Sequence, residues 1–393
     1  MDSKSYIYLD YNATTPLCEE AVCAMESYVS QVGRDSISKR GNANSLYTIG
    51  RDANIAVEQA RSDVARCLNC SRPTEIAFTS GATESIFLSL AGLLRANECS
   101  HIITTQLEHS AVKNAAKYLI DKDKLIFLKP DNSGFISEES LRQALAGTER
   151  ALVSVGYANS EIGAVQNMTE LTSIVHDANG LIHTDMTQAV GKIEVDLQIM
   201  GVDSASFSSH KFCGPTGVGG LYVKNKTKFS SAISGGGQEN GLRGGTQNVA
   251  GIVGMAAALK AAYKILPDET VRLQAFKEII RNHVLQMGSD GNLCRLTIEE
   301  NENSAYLPNL VHLIMRGIES EVAILRFDEL GVCVSGGSAC SSHSLDPSPV
   351  LRAINISDNE ALCALRISFG RYTTKEDIEG FLNAMERVIR WKN

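Results

Sequence analysis

Short apolar runs alternate with amphipathic segments through the first two-thirds of the chain. Seven of these runs are typical of strands, because each is short and is bounded by glycine or polar residues: 75–79, 101–105, 124–128, 151–155, 181–184, 204–207 and 218–223. Helical patterns separate several of them, for example at residues 84–94 and 169–178. Short apolar strands between helices predict a mainly parallel sheet with helices on both faces.

The pattern changes near residue 255. Two helical stretches follow each other at residues 252–265 and 268–287, then further apolar segments at 309–314, 321–327 and 364–368, and a closing helix at 375–391. We therefore expect an α/β protein with a large domain at residues 16–258, built on a seven-stranded sheet. Residues 1–15 and 259–393 are expected to form a smaller α+β domain.

Composition narrows the possible functions. The 393 residues are 44% hydrophobic and 21% charged, and the net charge of −8 disfavours direct binding of nucleic acid. The N-terminus has no targeting pattern and no apolar run approaches the ~18 residues of a membrane helix, so we expect a cytoplasmic protein without a membrane segment. The ten cysteines are scattered, and Cys67 and Cys70 have no second pair at zinc spacing, so neither a disulfide framework nor a metal site is predicted.

The candidate chemistry centres on Lys211, which ends Ser208-Ser-His-Lys211, and on Asp185, which follows an apolar strand. A lysine amine forms a Schiff base with an aldehyde cofactor, and a carboxylate at a strand end can keep a pyridine nitrogen protonated. Together they predict a pyridoxal phosphate (PLP) site at the carboxyl edge of the sheet. Gln188 can reach the ring oxygen. The alternatives are a surface lysine and an aspartate that caps the following helix.

A phosphate cradle is predicted where a strand turns into a helix at Thr79-Ser-Gly-Ala-Thr83. The Thr83 hydroxyl can add a donor, although an ordinary helix cap has the same pattern. Ser208 and His210 can donate to the same phosphate. The glycine-rich stretch 235–246 is either a plain surface loop or a source of phosphate donors from Arg243 and Thr246, which could act across a dimer interface.

Three further residues can carry chemistry. Cys340 lies among small polar residues at about 333–348, a segment predicted to be mobile, and such a setting suits a reactive thiolate that His343 can assist. Arg366 ends a predicted strand and can clamp a carboxylate, or it can be an exposed edge residue. His109 can stack on a cofactor ring, although a lone histidine is more often structural.

Six motifs resemble one known family, the NifS/IscS-type cysteine desulfurases of the class V aminotransferases, which are fold type I PLP enzymes. They are Tyr8-Leu-Asp-Tyr-Asn-Ala-Thr-Thr-Pro16, Thr79-Ser-Gly-Ala-Thr-Glu-Ser85, Asn159-Ser-Glu-Ile-Gly163, His183-Thr-Asp-Met-Thr-Gln-Ala-Val-Gly-Lys192, Ser208-Ser-His-Lys211 and Ser335-Gly-Gly-Ser-Ala-Cys340. Their order and spacing match the family from about residue 6 to 390.

The resemblance implies a role for each candidate residue. Lys211 is then the Schiff-base lysine and Asp185 its pyridinium partner, while His109 stacks on the ring. Phosphate binding is assigned to Ala82, Thr83, Ser208 and His210, with Thr246 from the partner subunit of a homodimer. Asn159 and Arg366 bind L-cysteine. Cys340 accepts its sulfur as a persulfide, alanine is released, and the sulfur passes to an acceptor protein for iron–sulfur assembly or thiolation.

Tyr47 stands where the family has a histidine, a feature reminiscent of selenocysteine lyases, and Met186 replaces a small residue beside Asp185. Selenocysteine lyase is therefore the alternative activity. A non-catalytic scaffold with the same fold is the alternative of another class, and Lys211, Asp185 and Cys340 together argue against it.

Overall fold

The computed structural model describes residues 6–39, 41–289, 293–300, 304–336 and 346–392 of the chain. A seven-stranded sheet forms the larger layer of the protein. Its strands are β2 (Ile76–Thr79), β3 (His101–Thr105), β4 (Leu125–Leu128), β5 (Ala151–Ser154), β6 (Leu181–Asp185), β7 (Ser204–Ser208) and β8 (Gly219–Val223). Their spatial order is β2-β8-β7-β6-β5-β3-β4.

Five strands of this sheet, β3 to β7, run parallel, and β8 runs antiparallel to both of its neighbours, β2 and β7. Because β8 is antiparallel to both β2 and β7, these two strands point the same way. The large helices that cover the sheet are α1 (Glu19–Val29), α2 (Thr48–Cys67), α3 (Ala82–Ala96), α4 (Ser110–Leu119), α5 (Glu138–Ala146) and α6 (Met168–Asp177), with a short α7 (Leu197–Met200). The predicted α/β class with its mainly parallel sheet is confirmed.

Two smaller sheets lie in the rest of the chain. One is β1 (Ile7–Tyr8) beside β11 (Val332–Cys333), and the other has the order β12-β10-β9, from Ala364–Ser368, Leu310–Met315 and Cys294–Leu296. The helices here are α9 (Ser320–Glu329), α10 (Pro349–Ala353), α11 (Asp358–Ala361) and α12 (Lys375–Lys392). In a second hydrophobic core, Leu9 packs together with apolar residues from Leu273 to Ile389.

The helix α8 (Val249–Ser289) joins the two cores, since Leu259 packs in the core of the large sheet and Leu273 in the second core. The prediction of two separate helices on either side of residue 266 is wrong, because α8 continues through Pro267. The predicted boundary at residue 258 falls inside this helix and stays a prediction. One stretch of α8, Val249–Met287, has the length and hydropathy of a membrane span, but half of its apolar window is buried inside the protein.

Candidate active site

The carboxyl ends of the strands converge on one edge of the large sheet. Thr79, Thr105, Asp185 and Ser208 end β2, β3, β6 and β7, and all four strands point the same way. A cavity of about 440 Å³ opens at this edge. Its wall includes ten residues predicted for the site, namely Ala82, Thr83, His109, Asn159, Asp185, Gln188, Ser208, His210, Lys211 and Arg366.

One predicted site residue with a described position, Thr246, is not in this cavity wall. Thr246 is exposed on the glycine-rich loop, as a residue that serves a second subunit would be, although its predicted role stays a prediction. Cys340 and His343 lie outside the described residues. Tyr47 is 59% exposed at the start of α2, and it does not line the cavity.

Lys211 ends a short 3-10 turn, Ser209–Lys211, directly after β7. Its side chain is half-buried, and Nζ donates to the carbonyl oxygens of Asn12 at 2.7 Å and Ala13 at 2.6 Å. The amine is therefore held at the cavity wall by two neutral acceptors.

Asp185 is the last residue of β6, and its two carboxylate oxygens have different surroundings. Oδ1 accepts hydrogen bonds from the Thr187 amide at 3.0 Å and the Thr187 hydroxyl at 2.5 Å. Oδ2 has no hydrogen-bond partner within the described ranges. One oxygen thus bonds within the turn after β6, where no helix begins, so the alternative of a helix cap is wrong, and the other oxygen is left for a ligand.

The strand-to-helix turn after β2 forms a cradle at the N-terminus of α3. Gly81 is its N-cap with φ +155°, and no side chain caps the first amides of the helix. A Cβ on Gly219 would come within 2.6 Å of the Gly81 Cα, so only glycine at 219 allows this turn to lie beside β8. The unpaired amides at Ala82 and Thr83, next to Ser208, suit a phosphate.

Arg243 does not offer its guanidinium to this cradle. Its Nε donates to Glu84 Oε1 at 2.6 Å, and the Glu84 carboxylate also accepts from the Ser80 amide at 2.7 Å. Burial raises the pKa of Glu84, but the hydrogen bonds from Arg243 and Ser80 outweigh it and lower the pKa overall. Arg243 therefore neutralises an acidic group behind the cradle and ties the glycine-rich loop to α3.

The two histidines of the site are held in defined orientations. His109 is the N-cap of α4, where Nδ1 accepts from the Ala111 amide at 3.1 Å, so the proton of the neutral ring lies on Nε2. Burial lowers the pKa of His109, with Asp185 opposing the shift and Lys211 adding to it. Burial and the nearby Lys211 lower the pKa of His210 to about 4. Both rings are neutral near pH 7.

Arg366 reaches the cavity from β12 in the smaller sheet. It is 2% exposed, and its guanidinium contacts Asp10 Oδ1 at 2.7 Å and the Ser160 carbonyl at 3.3 Å. Its Nε is buried and lacks a hydrogen-bond partner in the described part of the chain. A ligand carboxylate would satisfy this donor. Asn159 lines the same region, but its side-chain oxygen accepts from the Glu161 and Ile162 amides, both at 2.9 Å, so the loop already uses it.

Glu108 was not predicted for the site, although it directly precedes His109. It lines the cavity and is fully buried, with Oε1 accepting from Thr105 Oγ1 at 2.8 Å and from the Gly156 amide at 2.9 Å. Burial raises the pKa of Glu108 to about 7, against these two hydrogen bonds. The sequence signal that could have found it is an acidic residue at the end of an apolar strand.

These residues fit the predicted PLP cofactor. The cradle suits the phosphate, the open oxygen of Asp185 suits a protonated ring nitrogen, and the amine of Lys211 lies in the same cavity wall. The buried Nε of Arg366 adds a place for the carboxylate of an amino acid.

Comparison with known proteins places this site in a family. The model of the class-V aminotransferases matches residues 7–381. The chain belongs to the class-V aminotransferase family. It is 39% identical over 98% of its length to a protein named cysteine desulfurase IscS from Dictyoglomus turgidum, covering 95% of that relative. An IscS from Rickettsia rickettsii is 37% identical, with 96% of this chain and 89% of the relative covered.

Solved structures show the same class-V architecture. A NifS-like protein superposes with a TM-score of 0.88 at 33% identity, covering 98% of this chain and all of the other. A protein titled "SspA in complex with cysteine" superposes with a TM-score of 0.77 at 30% identity, covering 94% of this chain and all of the other. The resemblance to NifS/IscS-type proteins and the predicted fold are confirmed.

Proposed function

We propose that this protein is a PLP-dependent cysteine desulfurase that converts L-cysteine to L-alanine and transfers the sulfur to Cys340. One observation carries the proposal. Lys211, Asp185 and the cradle at Ala82 line one cavity, and the same wall includes Arg366, whose buried Nε has no hydrogen-bond partner among the described residues. The similarity to proteins named cysteine desulfurase IscS supports the choice of substrate.

Bound PLP supplies an electron sink for the pair of electrons left when the α-proton of the substrate is removed. The residues of the chain do the rest. Arg366 binds the substrate carboxylate, Lys211 takes and returns the α-proton at Nζ, and Asp185 keeps the ring nitrogen protonated through Oδ2. The amides of Ala82 and Thr83, with Ser208 and His210, hold the phosphate. His109 stacks on the ring and, being neutral, can move a proton at Nε2.

The sulfur transfer is assigned to Cys340 by the family resemblance. Its thiolate attacks the sulfur of the substrate, a sulfur–sulfur bond forms, the carbon–sulfur bond breaks, and a proton completes alanine. The persulfide then passes to an acceptor protein of iron–sulfur assembly or of thiolation. A homodimer in which Thr246 reaches the partner's phosphate, and a cytoplasmic location, complete the proposal.

The test of the cofactor site is optical. Purified protein reconstituted with PLP should develop a visible absorption band that is lost in Lys211→Ala, because the band requires the link to that amine. Lys224→Ala is the matched control, since the Lys224 amine bonds to the Gly201 carbonyl and does not line the cavity. A band that persists in Lys211→Ala, or a wild-type protein that stays colourless, would refute the site and favour a non-catalytic scaffold.

The test of the reaction uses both candidate substrates. Alanine should form from L-cysteine, and Cys340→Ser should keep the visible band while losing sulfide release. Turnover of selenocysteine alone would instead establish the lyase activity. The exposed position of Tyr47 gives that activity no support in the cavity wall of this chain.

A further inference from the structure

A second lysine, Lys192, lies behind Lys211 and is 7% exposed. Gly191, with φ +75°, reverses the chain just before it, and a Cβ there would come within 2.6 Å of the Phe212 Cβ. The turn therefore packs directly against the residue that follows Lys211. It also directs Lys192 back toward Gln188, four residues earlier.

The amine of Lys192 has two hydrogen-bond acceptors, and both are amide oxygens. Nζ donates to Asn12 Oδ1 at 2.7 Å and to Gln188 Oε1. Gln188 in turn donates from Nε2 to the Asn12 carbonyl at 3.0 Å, the same oxygen that accepts from Lys211 at 2.7 Å. Lys192, Gln188 and Lys211 are thus joined through one residue.

Asn12 is a rigid centre for this network. It is 2% exposed, its amide donates to Ser368 Oγ at 2.9 Å and its Nδ2 donates to the Ser160 carbonyl at 3.1 Å. With both of these groups bonded to other elements, Asn12 cannot turn to follow a neighbour. The two acceptors that it presents to Lys192 and Gln188 are therefore fixed in place.

The network determines which way the Gln188 side chain faces. A lysine amine donates to Oε1, whereas an amide nitrogen at the same place would face donor against donor. Oε1 is consequently turned to Lys192, and Gln188 has its second Nε2 proton available in the wall of the cavity. The Asn12 carbonyl, which accepts from Nε2, favours the same orientation, and Lys192 adds to it from the other side of the amide.

We propose that Lys192 is a positioning residue of the cofactor site, which holds the Gln188 amide so that it offers a donor, and not an acceptor, to the ring oxygen of the cofactor. The inference rests on the proposed function and extends it to a residue with no role in that function. Lys192 itself does not line the cavity, and it reaches the wall through its bond to Gln188.

The donor role does not depend on the charge of Lys192. Burial, followed by the cations Lys211 and Arg366, holds its pKa well below the ordinary range, with Cys213 and Asp10 acting in the opposite direction. The neutral amine still has two protons, one for each amide oxygen, whereas only the ammonium form, which has no lone pair, also excludes the Gln188 nitrogen.

The test is a pH titration of the visible band of the PLP-loaded protein. A donor to the ring oxygen stabilises its anionic form, so losing that donor lets the oxygen and the Lys211 nitrogen keep their shared proton to higher pH. Lys192→Met should raise the midpoint by about one pH unit, or about 1.4 kcal/mol. Lys277→Met is the control, because Lys277 is also buried but bonds to the Leu307 carbonyl and to Glu300 in another part of the protein.

A double-mutant cycle tests whether the effect passes through Gln188. Gln188→Ala should raise the midpoint similarly, and adding Lys192→Met to it should produce no further rise. Additive shifts would overturn the proposal, because Lys192 would then act on Lys211 independently of Gln188.

Lys192→Leu, which also lacks a donor, replaces Lys192→Met if the latter does not fold, and its midpoint should also rise. A midpoint unchanged within the error of the titration, in a folded variant, overturns the proposal. Such a result leaves the proposed function intact, whereas a wild-type protein without a visible band would refute that function first.

Discussion

Arg366 should bind the carboxylate of L-cysteine, and its replacement by lysine isolates that contribution. The guanidinium is 2% exposed and already bonded to Asp10 and Ser160, and its buried Nε is the donor without a partner in the described residues. Lysine keeps a cation near Asp10 but has no donor at the position of Nε. The change therefore removes one hydrogen bond to a charged ligand.

The size of the effect follows from that single bond. A hydrogen bond to a charged group contributes about 1.5–3 kcal/mol. At 1.4 kcal/mol per factor of ten, Arg366→Lys should raise KM for L-cysteine roughly 10- to 150-fold. The contact exists before and during the reaction, so kcat should change much less than KM.

The assay is the initial rate of alanine formation over a range of L-cysteine concentrations, with PLP in excess. Arg371→Lys is the matched control, five residues away, where the guanidinium pairs with Glu20 at 2.8 Å at the surface. A KM for Arg366→Lys within about threefold of wild type would refute the assignment of the carboxylate to Arg366. A fall in kcat with unchanged KM would instead indicate a contact made only in the transition state.

Two further predictions concern stability of the cofactor-free protein. Because the pKa of Glu108 is raised from 4.5 to about 7, its contribution to the free energy of unfolding is present below pH 4.5 and is lost as pH rises through about 7. Between pH 5 and pH 8, the free energy of urea unfolding should therefore fall by about 2–3 kcal/mol more for wild type than for Glu108→Gln, and equal falls would contradict the burial argument. Alanine at position 191 or 217 would have to adopt a left-handed backbone, but only at position 191 would its Cβ also come within 2.6 Å of the Phe212 side chain. The free energy of unfolding should therefore fall by at least ~1 kcal/mol more for Gly191→Ala than for Gly217→Ala, and equal effects would show that Phe212 moves aside freely.

The strands and the chemistry at their ends could be predicted from the chain itself. All seven predicted large-sheet strands match within one residue at each end, because short apolar runs with polar ends leave little choice of boundary. Asp185, Ser208 and Lys211 were predictable for the same reason, since parallel strands end at a common edge. The helical break expected near Pro267 was wrong, because packing on both sides of α8 keeps the helix continuous.

The residues that prediction missed are buried ionisable groups. Lys192 ends a motif that also contains Asp185, and Glu108 directly precedes His109. Lysine and glutamate are usually exposed, and no local sequence pattern shows that these two are buried. Their burial depends on contacts between distant segments, such as Asn12 with Lys192 and Gly156 with Glu108. Arg243 is a candidate in the sequence analysis, but its partner Glu84 lies far away in the chain and no local pattern predicts the pair.

The continuous helix α8 has a mechanical consequence. Apolar residues up to Leu259 are anchored in one core and those from Leu273 onward in the other, and Pro267 lies between them. A proline lacks the amide proton that would bond to the carbonyl of Tyr263, so α8 should bend most easily at that turn. If the smaller sheet, which carries Arg366, moves relative to the larger one, the helix should bend at this turn. Cleavage of the chain at the same turn would remove the helical connection between the two cores.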